Sequence, residues 1–185
     1  MIMSKNAIRH QMRLLREQLS PEQVQVASKQ VVSHLLAHPH FMQSQHIALY
    51  RAIHNELDPS GLLSDYRCQD KTFYLPCITP EKHLHFVRAD ANTIYQPNRY
   101  GIEEPVASTP YIAPMDLDMA LIPTLALNPA GYRIGYGGGY YDRTFQHNPP
   151  YLLALLYDFQ RDAEFTPEAH DLCCDDNIYL AVGEK

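Results

Sequence analysis

Residues 151–157 read Tyr-Leu-Leu-Ala-Leu-Leu-Tyr, an apolar run with neither charge nor alternation. The run falls far short of the roughly 20 residues that cross a bilayer, but it has the length of a strand buried on both faces. Such a strand belongs inside a sheet covered on both sides, the situation of parallel sheets in layered α/β folds. Residues 119–122 form a second apolar strand. Around these runs the pattern turns helical. Ile8, Met12, Leu15 and Leu19 fall on one stripe of a helix over residues 3–19. Ser20-Pro21-Glu22-Gln23 then supplies an N-cap hydroxyl, a first-turn proline and a capping-box glutamine for a second helix ending near His38-Pro39. Further strands are predicted at 46–52, 72–75, 83–88 and 178–182, a third helix over 58–70 behind Asp58-Pro59, and a short helix over 140–146. Residues 91–114 hold four of the fourteen prolines and no period, which predicts a long functional or mobile loop. The expectation is α/β: a single-domain layered sandwich over 1–185 with a mostly parallel sheet.

Composition narrows the function. Hydrophobic residues at 45% and charged residues at 19% exclude a disordered tail or a collagen-like chain. A net charge of -6 argues against a general duplex-binding protein, whose affinity comes from neutralising phosphates. The amino terminus passes into a charged helical pattern without an apolar signal core, so a cytoplasmic protein is expected. Cys68, Cys77, Cys173 and Cys174 show no zinc-type spacing and no disulfide framework, and read as reduced structural thiols.

Glycine is scarce, eight in all, yet Gly131, Gly135, Gly137, Gly138 and Gly139 crowd into nine positions after an apolar strand. Such crowding costs backbone entropy, and a loop whose amides approach an anion would justify it. The string lacks the Walker A lysine. Read as G-x-G-x-x-G it places Tyr140 where a third glycine must pack, which disfavours a dinucleotide fold. Lys5, Arg9, Arg13 and Arg16 form a basic stripe about 85° from the apolar one, at roughly 100° per residue. It could line a groove or remain a solvated helix edge. Asp142, Asp175, Asp176 and the Asp116-Leu117-Asp118 pair are acids of the kind magnesium uses beside phosphates, though each alone is as readily a cap or a surface charge. Glu56 stands after the first strand, where ligands bind in open α/β sheets, or else caps the helix at Asp58-Pro59. The ten histidines have no metal spacing.

The run from Asn128 through Gly131-Tyr132-Arg133-Ile134-Gly135-Tyr136-Gly137-Gly138-Gly139-Tyr140-Tyr141-Asp142-Arg143 resembles the signature loop of the 5-formyltetrahydrofolate cyclo-ligases. Lys5-x-x-Ile8-Arg9, Glu56-x-Asp58, Gly101-Ile102-Glu103-Glu104-Pro105 and Pro167-Glu168-x-His170-Asp171 extend the resemblance along nearly the whole chain. It implies ATP- and magnesium-dependent closure of 5-formyltetrahydrofolate to 5,10-methenyltetrahydrofolate, with small-molecule partners, no nucleic acid or membrane, and a monomer. It also implies a fold similar to the ribose-phosphate isomerase and CoA-transferase group. By position it places Lys5, Arg9, Arg133, Gly135, Gly137, Gly138, Gly139 and Tyr140 at ATP, with Arg51, Glu56 and Tyr140 at folate. Asp142 and Asp175 fall at the metal, with the choice between Asp175 and Asp176 open, and Arg133, Tyr141 and Asp142 at the chemistry. Leu127-Asn128 replaces the usual Phe-Asp ahead of the loop.

Two other readings compete: a noncatalytic folate- or nucleotide-binding regulator, and an RNA-binding module using the basic stripe with tyrosines as stacking platforms. Arg133, Asp142 and Glu56 together speak against the first, the acidic balance against the second. If Arg133 and Asp142 act on phosphate and metal rather than in the core, replacing them should affect turnover far more than stability. Arg16 is expected to be dispensable for ATP.

Overall fold

In the computed structural model, residues 3–106 and 111–182 are described. Helix α1 (Lys5–Glu17) starts at Ser4, whose hydroxyl accepts the Ala7 amide at 3.2 Å. Helix α2 (Pro21–Ala37) carries the reciprocal capping box of Ser20 and Gln23, at 3.2 and 2.9 Å. Helix α3 (Pro39–Gln43) follows, then β1 (His46–Ala48), β2 (Thr72–Ile78), β3 (Leu84–Ala89), β4 (Tyr95–Pro97), β5 (Glu103–Pro105) and β6 (Tyr111–Ile112). Next come β7 (Met119–Pro123), β8 (Ala126–Leu127), β9 (Arg133–Ile134), α4 (Tyr140–Thr144), β10 (Tyr151–Tyr157) and β11 (Asp176–Leu180).

Seven strands form the main sheet in the order β11-β10-β7-β1-β2-β3-β6. The first five run parallel; β3 is antiparallel to β2 and to β6. The period of two along β10 explains its unbroken apolar sequence. Leu153, Leu155 and Tyr157 join the core beneath α2 and α3, while Leu152, Ala154 and Leu156 join the opposite core with Phe86 and Phe145. Met119 and Leu121 of β7 face the first core, Ala120 and Ile122 the second. Helix α1 packs Ile8 and Met12 on Leu125, Ala126 and Ile134, anchoring the β8–β9 hairpin. Among the described residues no helix is long and apolar enough to cross a membrane.

Several elements differ from expectation. Residues 58–70 form two 3-10 turns, Pro59–Ser64 and Tyr66–Cys68, rather than an α-helix. Asp58 and Asp65 each cap a fresh turn through the amides of Ser60 and Arg67, both at 2.9 Å, so short polar side chains divide the segment. The loop expected over 91–114 contains β4 and β5, paired as a ribbon, and β6; residues 107–110 lie outside the described part. The strand expected at 46–52 stops at Ala48, because the chain leaves the sheet where Tyr50 donates its hydroxyl to the Leu57 carbonyl at 2.6 Å. The predicted helix over 140–146 is only five residues long.

Candidate active site

The carboxyl ends of β1, β2 and β7 open into a cavity of about 960 Å³, within the range of small-molecule sites. Its lining includes Lys5, Arg9, Arg51, Glu56, Arg133, Gly135, Gly137, Gly138, Gly139, Tyr140, Tyr141 and Asp142. Residues far apart in sequence thus meet at one place, outside the strand ends where α/β sheets bind ligands.

The glycine loop leaves β9 and is pinned at once: Arg9 Nε donates to the Gly135 carbonyl at 2.9 Å, while Arg9 Nη1 donates to Asn6 Oδ1 at 2.6 Å. Gly137 and Gly139 take φ of 96° and 68°, a left-handed backbone that L side chains adopt only with strain. At Gly135 a Cβ would meet Arg133 Nη1 at 2.5 Å. The loop is therefore closely packed, and the helix that follows it, α4, is only five residues long. Ahead of the loop, Asn128 Oδ1 accepts the amides of Ala130 and Tyr132 at 3.0 and 2.9 Å. The amide side chain shapes the hairpin by acceptance alone, with no need for the acid usual there.

Arg133 is buried at 3% exposure; its Nη2 donates to Asp142 Oδ2 at 3.0 Å and its Nη1 to the Pro123 carbonyl at 3.4 Å. Its Nε is buried without a partner. Asp142 Oδ1 also accepts the Leu172 amide at 3.4 Å. Arg133, expected outside the core, is buried, whereas Asp142 stays partly exposed in the cavity wall; together they tie β9 to α4. The Tyr141 ring lies beneath the Arg133 guanidinium at 5.6 Å, and burial pushes its phenol up.

On the opposite wall, His54 and Asn55 both have positive φ, 48° and 58°, turning the chain so that Glu56 reaches back to the Ile53 amide at 3.0 Å. Glu56 does not cap the following turn, which Asp58 does. Burial pushes the Glu56 carboxyl up, with Arg16 and the Ile53 amide pulling against it. Arg51 pairs with Glu103 and stacks 4.5 Å over Tyr95, fastening the β4–β5 ribbon along the rim. Tyr140, at the loop's end, accepts from Arg99 Nη2 at 2.7 Å and shares a 2.7 Å contact with the Tyr100 hydroxyl, and its phenol is drawn down chiefly by Tyr100.

Lys5 lines the cavity but is engaged, 2.5 Å from Asp171 Oδ2 and 3.2 Å from Glu168 Oε1. Of the rest of the basic stripe, Arg13 lies over the Tyr136 ring at 5.2 Å, and Arg16, expected as solvated flank, is buried against Glu56. The basic stripe marked Arg16, and its spacing of four from Met12 puts it beside the buried face, but its burial is completed by partners brought by other elements. Asp175 is not brought to the cavity: it is exposed, and its Oδ2 accepts the Leu152 amide at 2.7 Å at the start of β10. Asp176 faces His38 and Tyr151, both at 3.4 Å, and Asp118 accepts the amides of Gln45 and His46. Asp116 is the last residue of a 3-10 turn, Pro114–Asp116. These four acids shape turns and strand ends. Among the described residues, Cys68, Cys77, Cys173 and Cys174 are free thiols.

A glycine loop, a buried arginine–carboxylate pair and a buried glutamate around one deep cleft define an α/β enzyme acting on small anionic molecules. The 5-formyltetrahydrofolate cyclo-ligase family model matches residues 1–179. The chain is 32% identical over 172 residues to the 5-formyltetrahydrofolate cyclo-ligase of Haemophilus influenzae, covering 90% of this chain and 91% of that one. It is 25% identical over 194 residues to that of Mus musculus, covering 95% and 93%. The solved 5,10-methenyltetrahydrofolate synthetase of Aquifex aeolicus superposes with a TM-score of 0.82 at 27% identity, covering 98% of this chain and 91% of that chain. The chain belongs to the 5-formyltetrahydrofolate cyclo-ligase family, a family of ligases.

Proposed function

We propose that the chain closes 5-formyltetrahydrofolate to 5,10-methenyltetrahydrofolate with ATP, releasing ADP and phosphate. The observation that carries this reading is the two-sided cavity. One wall offers Lys5, Arg9, Arg133 and closely packed glycine amides to an anion; the other offers the buried acceptor Glu56, suited to the N–H donors of a pterin and repellent to a triphosphate. An anionic nucleotide and a pterin bearing N–H donors can lie side by side in it, and the reading keeps the chain a monomer.

Phosphoryl transfer asks mainly for positioning and charge stabilisation. The formyl oxygen takes the terminal phosphoryl group as ADP leaves; N10 then attacks the activated carbon, losing its proton as phosphate departs with the formyl oxygen. No protein nucleophile is required. Arg133 brings its guanidinium to the cavity wall for a phosphate oxygen, and Arg9 steadies the loop through the Gly135 carbonyl. Magnesium prefers one or two carboxylates with phosphate oxygens and water. Asp142, one-fifth exposed in the cavity wall, fits that need, and among the described residues no cluster of three ligating side chains provides a site independent of nucleotide. When bound, the ion would neutralise phosphate charge. The reading rests on Asp142 alone, without Asp175.

The test is absorbance of the methenyl product with and without ATP. Product that appears only with ATP supports the proposal; no product, or formation indifferent to ATP, overturns it.

A further inference from the structure

Arg16 is 1% exposed, yet it does not itself line the cavity. It stands directly behind the wall. Its Nη1 lies 3.5 Å from Glu56 Oε1, its Nη2 donates to the Tyr136 hydroxyl in the glycine loop, and its backbone carbonyl accepts Asn55 Nδ2 at 2.8 Å. One residue of α1 thereby touches the turn that presents Glu56 and the loop on the other side. Burying a guanidinium carries a desolvation penalty that an apolar residue of similar volume avoids, so its presence calls for a task beyond packing. Glu56 Oε1 and Arg16 Nε are both buried without a hydrogen-bond partner. The carboxylate is nonetheless held between partners in the cavity wall, Arg16 Nη1 beside Oε1 and the Ile53 amide on Oε2, with the Tyr136 hydroxyl also drawing it toward the charged form.

We propose that Arg16 is a positioning residue acting through Glu56: it holds the carboxylate as an acceptor in the cavity wall and joins that wall to the glycine loop through Tyr136. The inference rests on the reading of Glu56 as the folate-side group. Tyr50, Tyr136, Tyr141 and Tyr157 also face Glu56, and burial pushes each phenol up, that of Tyr157 to about 12, so they stay neutral at physiological pH. Asp58 adds negative charge beside Tyr50. Arg16 supplies the positive charge that opposes the burial of Glu56. Without it, the carboxyl should hold its proton to higher pH and lose acceptor capacity while the fold persists.

The experiment follows the Glu56 side-chain carboxyl by carbon-13 NMR in the substrate-free protein across pH, in the parent, Arg16→Gln and Arg16→Lys. We expect Arg16→Gln to raise the Glu56 midpoint by about one pH unit or more, the scale of losing an adjacent opposite charge, and Arg16→Lys to restore most of it. The acid limb of the pH profile for 5-formyltetrahydrofolate turnover should move with the midpoint. The double variant Arg16→Gln/Glu56→Gln should be no worse in folate KM than Glu56→Gln alone. An unmoved midpoint in Arg16→Gln, or additive KM losses in the double variant, would overturn the inference and leave Arg16 a packing residue. Should Arg16→Gln not fold, a Glu56 midpoint in Arg16→Lys displaced upward by more than one pH unit would overturn it, and a midpoint held near the parent value would support it. Because the titration needs no substrate, a parent protein that forms no methenyl product would refute the proposed function while this measurement still judges Arg16.

Discussion

Replacing Arg133 by alanine should lower both stability and turnover. Arg133 is buried, and its guanidinium joins β9 to α4 through Asp142 and to the end of β7 through the Pro123 carbonyl. Removing one partner of a buried ion pair costs about 3 to 5 kcal/mol. The Asp142 side chain is 20% exposed and regains some hydration, which places the loss near the lower figure. For a chain of this size about 3 kcal/mol corresponds to roughly 6 to 12 °C in melting temperature. If the Arg133 guanidinium serves a phosphate oxygen in the transition state, turnover should fall by roughly 10² to 10³ as well. Thermal unfolding by circular dichroism and ATP-dependent methenyl formation, measured well below the lowered melting point, separate the two effects. Melting within about 2 °C of the parent would refute the structural account of the pair. Near-parental turnover in the still-folded variant would refute its phosphate role.

Gly139→Ala places a side chain where φ is 68° and a Cβ would stand 2.5 Å from Arg143 Nη1, so it should destabilise by roughly 1 to 2 kcal/mol and raise the KM for ATP; an unchanged KM would detach this glycine from the nucleotide. Tyr140→Phe removes the hydroxyl shared by Arg99 and Tyr100 at an exposed site, so stability should stay within about 0.5 kcal/mol while limited proteolysis near residues 98–101 quickens, and equal cleavage rates would refute the latch. Burial raises the Asp171 carboxyl, but Lys5 and the Glu168 amide bring it net below its ordinary 3.8; its contribution is full above that value and is lost as pH falls through the lowered one. Lys5→Met should flatten the fall of melting temperature below pH 4, and an unchanged slope would show that the pair adds no stability there.

The central strands were legible because β7 and β10 are apolar on both faces, a pattern produced by burial between two layers. The capping box at Ser20 was legible because its signal is local. Residues 58–70 misled because Pro59 opens a turn in the same way for an α-helix and for a 3-10 turn, and only the second acid, Asp65, separates the outcomes. The β4–β5 ribbon and the two-residue strands β8 and β9 are too short to show a period. At the site, the glycine string pointed to the loop and Glu56 to the strand end. Arg16 was visible in the basic stripe but its burial was not, because its place on the helix wheel is the same whether Tyr136, 120 positions onward, covers it or water does. Asp175 misled in the opposite sense: an acid beside a strand has the same appearance whether it holds an amide, as it does for Leu152, or an ion.

Helix α1 carries Lys5 and Arg9 in the lining of the cleft and Arg16 behind its wall, and at a rise of about 1.5 Å per residue Lys5 and Arg16 are separated by about 16 Å along the axis. A stiff rod of fixed pitch thus acts as a ruler between the two halves of the cleft. Substitutions on its outer face leave the gauge intact. A single residue inserted between Arg9 and Arg16 would turn one end by about 100° against the other, so that the loop anchor at Gly135 and the prop behind Glu56 could not both be kept. The length of this helix, more than its composition, is the quantity that the chemistry holds constant.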